Sequence, residues 1–249
     1  VKLRRRRDAP DLDALAPFVP WSEFLPDFRR AWRANAKGRA EHVTLVGPNG
    51  QGKSFLALEL LKDRVAARGA HVVVLATKPK DLTLSRLGWP VIRQWPPGYG
   101  QDQVIFWPKA PKGASAATMH DVQRRAFGPM LDEVFDEGRR TIYFDEAAYF
   151  TEDLGMTDDM RRLWQMGRSN DVIVMAGTQR PRGVPRPMFS ECSWFFAFRT
   201  ADEDELRRVG EIGGADSTAI REIMRSLAPH EFVCVRTRTG EMVRSKVTR

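Results

Sequence analysis

"GPNGQGKS", Gly47 to Ser54, spells Gly-x-x-x-x-Gly-Lys-Ser. Glycines at this spacing let the backbone curl until successive N–H groups point inward, where side chains would keep a phosphate away. A helix opening at the lysine adds its positive dipole end. The Lys53 ammonium then reaches the β- and γ-phosphates, and the Ser54 hydroxyl takes one Mg²⁺ position. The motif counts only between a strand and a helix. "HVTLVG" (42–47) is a short apolar strand, and "KSFLALELLKDRVAARG" repeats apolar residues every three or four positions as far as Gly69. The stretch predicts a phosphate loop of Gly47, Asn49, Gly50, Gln51, Gly52, Lys53 and Ser54.

Outward from the loop, strands and helices alternate. "HVVVLAT" (71–77), "DQVIFW" (102–107), "TIYFDEA" (141–147), "DVIVMAGT" (171–178) and "SWFFAFRT" (193–200) read as strands. Helices fall at 121–138, with a kink expected at Pro129, and at 158–167. A third covers 202–210, opened by a capping box in "TADE" (200–203). Strand runs apolar on both faces predict an α/β fold with a mostly parallel central sheet flanked by helices. The tail "FVCVRTRTGEMVRSKV" predicts a C-terminal β-hairpin turning near Thr239-Gly240. Residues 78–101 and 108–116 read as loop insertions. Residues 1–38 form a basic arm and a helix, with Phe28 and Trp32 four apart and Gly38 as its stop, and 39–249 form the nucleotide-binding domain.

The 249 residues are 42% hydrophobic and 29% charged, the balance of a globular chain. No apolar run nears the roughly 18–20 residues of a membrane-spanning helix, so no integral membrane segment is expected. "VKLRRRRDAPDLD" lacks the apolar core of a signal peptide, and two cysteines, Cys192 and Cys234, make no disulfide framework or zinc site. Both point to a reducing, cytoplasmic setting. The net charge of +8 is compatible with a polyanionic partner. The run Arg4 to Arg7 reads either as a solvated tail or as an arm on a phosphate backbone.

Two further stretches carry chemistry. "TIYFDEA" ends a strand in Asp145-Glu146, where an aspartate holds Mg²⁺ and the adjacent glutamate polarises an attacking water. Two acids favour hydrolysis over transfer to a small acceptor, and no Asn-Lys-x-Asp stretch selects guanine, so ATP is the expected nucleotide. "DVIVMAGTQRPRGVP" ends a strand in Thr178-Gln179-Arg180. Beside the Asp145 strand, Gln179 would sense the γ-phosphate or the lytic water. Arg180, and Arg168 in "MGRSND", either bring positive charge to a transition state, in this subunit or its neighbour, or are simply solvated.

In this order, "GPNGQGKS", "TIYFDEA" and "VIVMAGTQRPRGVP" resemble the FtsK–HerA superfamily of DNA-translocating ATPases. "LATKPKDL" and "FAFRTADEDELRRVGEIGGAD" resemble segments of the same proteins. The resemblance implies a RecA-like core over 39–249. It also implies nucleotide and hydrolysis roles for Lys53, Ser54, Asp145, Glu146 and Gln179, and a trans-acting arginine, Arg168 before Arg180. By the same resemblance the chain works in a homo-oligomeric ring, hexameric rather than pentameric, around double-stranded DNA. Without a membrane anchor, winged-helix domain or N-terminal barrel, its build resembles viral genome-packaging ATPases. A portal or capsid protein would then recruit it at a procapsid vertex in the host cytoplasm. Alternatives are an ATPase driving phage or secretion-type protein assembly, transfer of plasmid or chromosomal DNA, and a small-molecule kinase.

DNA contacts are expected at phosphates, which every sequence presents. Lys109 and Lys112 in "WPKAPKG" are candidates, as are Lys78, Lys80, Arg86 and Arg93 around the first insertion. Arg236, Arg238, Arg244 and Lys246 form a hairpin patch that faces DNA or solvent. Trp107 is expected to pack rather than stack.

Overall fold

Strands whose alternate residues are all apolar need cover on both faces. A computed structural model, describing residues 11–34, 41–65, 71–212 and 215–248, supplies it. Nine strands form one sheet in the order β3-β4-β2-β5-β6-β1-β7-β8-β9. They are β1 (Val43–Val46), β2 (His71–Leu75), β3 (Val91–Ile92), β4 (Gln103–Phe106), β5 (Arg140–Phe144), β6 (Ile173–Thr178), β7 (Trp194–Phe198), β8 (Glu231–Arg236) and β9 (Glu241–Lys246). From β3 to β7 every pairing is parallel. The β8–β9 hairpin then adds antiparallel to β7. The expected α/β class and C-terminal hairpin are what the chain adopts.

Eight helices flank the described sheet: α1 (Leu12–Leu15), α2 (Trp21–Ala34), α3 (Lys53–Val65), α4 (Ala116–Glu137), α5 (Thr157–Met166), α6 (Pro187–Ser190), α7 (Glu203–Val209) and α8 (Ser217–Ser226). The period of two along each strand sorts the core. On β7, Trp194, Phe196 and Phe198 join α2 and α3 on one face, while Phe195 and Ala197 join α4 to α8 on the other. Phe28 of α2 sits edge-on to Trp194 and Phe196, with ring centroids 4.9 and 5.3 Å away. Truncating it to alanine would cost about 3–5 kcal/mol. That buried stripe fastens α2 over the hairpin side of the sheet.

Several local expectations change. The 78–101 insertion holds a 3₁₀ turn (Leu84–Leu87) and the edge strand β3. Two residues paired only to β4 carry no periodicity to read. Helix α4 starts five residues early because Ser115 caps it, accepting from the Thr118 N–H, and it runs through Pro129 to Glu137. At α7 the cap is Asp202, which accepts from the N–H groups of Asp204 and Glu205, so the capping box at Thr200 is not formed. Arg244 is not a surface cation. Residues 17–19 run along β9, and the buried Arg244 guanidinium donates to the Ala16 carbonyl and pairs with Asp13. Gly38, Gly69 and the Arg4–Arg7 run lie outside the described residues.

Candidate functional site

The loop leaves the carboxyl end of β1, the edge of a parallel sheet where α/β proteins bind ligands. Gly50 and Gly52 have φ of +78° and +101°, backbone that favours glycine. Lys53 opens α3, putting the first-turn N–H groups beside the loop. Asn49, Gly50, Gly52, Lys53 and Ser54 line a cavity of about 660 Å³. The other two expected binders do not. Gly47 is buried and donates its N–H to the Thr178 carbonyl (3.2 Å). The Gln51 side chain accepts from the His230 N–H (3.3 Å), tying the loop to the turn before β8.

The cavity is cationic. Lys53, Lys62, Lys78 and Arg86 line it against one carboxylate, Glu59. Lys62 pairs with Glu59, and Lys78 is held by acids behind it. Lys53 is 5% exposed, and no hydrogen bond or ion pair from the described residues reaches its ammonium. Burial pulls its pKa below the usual lysine value, against the pull of Asp145 and Glu146. A lysine buried but for this cavity, its ammonium unpaired, is placed to receive an anion there.

Register sets the acids. Phe144 is level with Ala176, so Asp145 and Glu146 continue beside Gly177 and Thr178. A Cβ on Gly177 would stand 2.9 Å from the Asp145 carbonyl oxygen, so only glycine allows this approach. Glu146 Oε1 accepts from the Thr178 hydroxyl (2.7 Å), and both its oxygens from the Gln179 N–H (3.2 and 3.1 Å). Asp145 accepts from the Tyr143 hydroxyl (3.1 Å) through Oδ1 and from Lys78 Nζ (2.6 Å) through Oδ2. Tyr143 is pushed well above its ordinary pKa by burial and then by Asp145, and so stays a donor. At Lys78 burial works against the charge, but Asp145 and Asp81 outweigh it and raise the pKa.

Among the described residues no three His, Cys, Asp or Glu converge. A cation beside the loop would therefore rest on the Ser54 hydroxyl, Asp145, water and phosphate oxygens, the donor set that Mg²⁺ takes. An ammonium already 2.6 Å from Asp145 Oδ2 marks a place for positive charge. The residues fit the ion.

The arginines lie apart. Arg180 is exposed and 3.7 Å from Glu152. Arg168 precedes β6, whereas the acids meet its far end, about 17 Å along a six-residue strand. Arg168 lines a separate 270 Å³ cavity with Glu191, Ser193 and Arg238, out of reach of its own subunit's loop. Lys78 and Arg86, read as DNA contacts, line the loop cavity instead. His230 and Val247 close its other side, and no local pattern marks either residue. Trp107 is buried, donates to the Lys78 carbonyl (2.8 Å) and carries Lys109 over its ring (4.7 Å).

The sheet order and the strand–loop–helix unit define a phosphate-loop α/β protein. The fold is similar to B204, the DNA-packaging ATPase from Sulfolobus Turreted Icosahedral Virus. The TM-score is 0.62 at 14% identity, covering 85% of this chain and 100% of that one. B204 from Sulfolobus turreted icosahedral virus 2, in complex with ATP-gammaS, gives 0.57 at 14%, covering 84% and 98%. The cytoplasmic domain of the Thermomonospora curvata Type VII Secretion ATPase EccC gives 0.54 at 15%, covering 84% of this chain but 25% of that one. At such identities the likeness is one of fold. No family model matches the sequence, and no curated protein does.

Proposed function

We propose that the chain is an ATP-hydrolysing motor subunit that moves double-stranded DNA, with packaging of a viral genome as its task. The observation that carries this reading is Lys53, buried but for a cavity edged by the glycine loop, its ammonium without a hydrogen bond or ion pair from the described residues. Lys53 and the loop amides bind the β- and γ-phosphates. Ser54 and Asp145 hold Mg²⁺, which when bound spreads the charge of the phosphate oxygens. Glu146 orients the attacking water and takes its proton as the oxygen–phosphorus bond forms and the bond to the diphosphate breaks. Thr178 and the Gln179 N–H hold Glu146 until then, and Gln179 reads the γ-phosphate.

Arg168, facing away from its own loop, serves the site of a neighbouring subunit in a ring, six copies rather than five, and Arg180 is the alternative finger. The exposed Lys109 and Lys112 grip phosphates of the duplex. Recruitment is by a portal or capsid protein in the cytoplasm of the host. No helix among the described residues is long and apolar enough to cross a membrane.

The test is hydrolysis with and without long duplex DNA. Stimulation is expected, with Glu146→Gln binding ATP without turnover. Hydrolysis indifferent to duplex DNA, or normal turnover in Glu146→Gln, would refute the reading. A second reading, an ATPase that moves protein, is favoured by the fold likeness to the secretion ATPase EccC. Stimulation by a protein substrate instead of DNA would select it.

A further inference from the structure

Asp145 is 5% exposed, and among the described residues its carboxylate has two partners, the Tyr143 hydroxyl and the Lys78 ammonium. A buried carboxylate is costly to leave without a positive or hydrogen-bonding partner on Oδ2. In this structure it is Lys78, whose side chain is 47% exposed and lines the same cavity as Lys53 and Ser54. A cation bound at Oδ2 would compete with that ammonium for the carboxylate.

The Lys78 main chain is fixed. Its carbonyl accepts from Trp107 Nε1 (2.8 Å), and the preceding Thr77 carbonyl accepts from Gln123 Nε2 (2.8 Å). Only the four-carbon stem is left to swing, carrying a point charge with three rotatable donors. Asp81, 3.4 Å from Nζ, offers a second, weaker hold, so the ammonium leaves Asp145 without becoming an isolated ion. The exposed side of Lys78 lines the same cavity as the glycine loop.

We propose that Lys78 is the exchangeable counter-ion of Asp145: it holds the carboxylate in the empty cleft and turns to the terminal phosphate when a metal-bound nucleoside triphosphate enters. The inference rests on the nucleotide reading above and makes Lys78 a specificity residue. A triphosphate supplies the anion that receives the displaced ammonium, and a diphosphate does not. A lysine that merely neutralised a buried acid would affect stability and leave the two nucleotides' relative affinities alone.

The experiment titrates the full chain, with Mg²⁺ present, with fluorescent forms of a non-hydrolysed ATP analogue and of ADP. Wild type should bind the triphosphate roughly tenfold more tightly, the effect of one charge-assisted contact. Lys78→Met, with no ammonium left to displace or to receive, should bind both about equally. A wild-type preference persisting in Lys78→Met overturns the proposal while the nucleotide site stands. Failure of wild type to bind either nucleotide overturns the site and the proposal together. A measurement on wild type needs no variant: amine labelling read by mass spectrometry should find Lys78 shielded by the triphosphate analogue and not by ADP. Equal labelling in both would also overturn it.

Discussion

Replacing Lys53 with methionine should strengthen the empty protein and abolish its response to nucleotide. Lys53 is 5% exposed and has no carboxylate within ion-pair distance, so its charge is desolvated without a contact partner. Desolvating an ammonium costs several kcal/mol, and each acid beyond 4 Å returns less than about 4 kcal/mol at an effective dielectric of 20. Replacing a desolvated ion by an apolar side chain of similar size is commonly neutral or stabilising. Methionine keeps the stem, which packs 3.7 Å from where a Cβ on Gly177 would stand, and removes the charge. A net gain of about 1–2 kcal/mol follows, roughly 2–8 °C in melting temperature for a domain of this size. Wild type with nucleotide at a hundred times its Kd gains about 2.7 kcal/mol, roughly 5–11 °C, and Lys53→Met gains nothing. Differential scanning calorimetry with and without Mg-ATP reads both numbers. A variant that melts below wild type in the empty state would refute the claim that Lys53 is held under strain. One that still shifts with nucleotide would refute its role in binding.

Four further substitutions have expected outcomes. Gly177→Ala forces β5 and β6 apart at the Asp145 carbonyl, 2.9 Å from the new Cβ. It should lose about 1–3 kcal/mol in urea unfolding, with turnover falling further than binding. Arg244→Met leaves the Ala16 carbonyl unpaired and should cost about 1–3 kcal/mol; on the proposed DNA reading it should leave duplex affinity intact, whereas Lys109→Ala should lower affinity and its salt dependence. His42 is fully buried and accepts the Val174 N–H; burial first and Arg168 second lower its pKa to about 3. Its contribution to stability is complete above pH 6.5 and fades as pH falls towards 3. At pH 5 wild type should have lost about 2 kcal/mol that His42→Asn, which keeps an acceptor there, retains.

The phosphate loop and the parallel sheet were legible because their signals are local. Glycine spacing sits in eight residues, and β-branched runs such as "HVVVL" need no distant partner to declare themselves. The acids were legible for the same reason, since a strand ending in Asp145-Glu146 carries its own context. Lys78 was not, because its partner Asp145 lies 67 residues on and the intervening insertion reads as loop. Arg244 alternates correctly with Met242 and Lys246, but alternation does not report that residues 16–19 cover its side of the hairpin. His230 and Val247 reach the loop through β8 and β9, the last strands of the sheet, whose placement depends on β7. Long-range register, rather than propensity, is what a single sequence conceals.

The hydrogen bond between Gln51 and His230, and the place of Val247 on the same cavity as Gly52, have a consequence for how this protein is made. A ribosome that has finished the glycine loop has still to polymerise almost two hundred residues before the opposite wall of the cleft exists. The walled cleft therefore forms only once β8 and β9 have joined the sheet, and a nascent fragment ending before them would lack one wall however many motifs it carried.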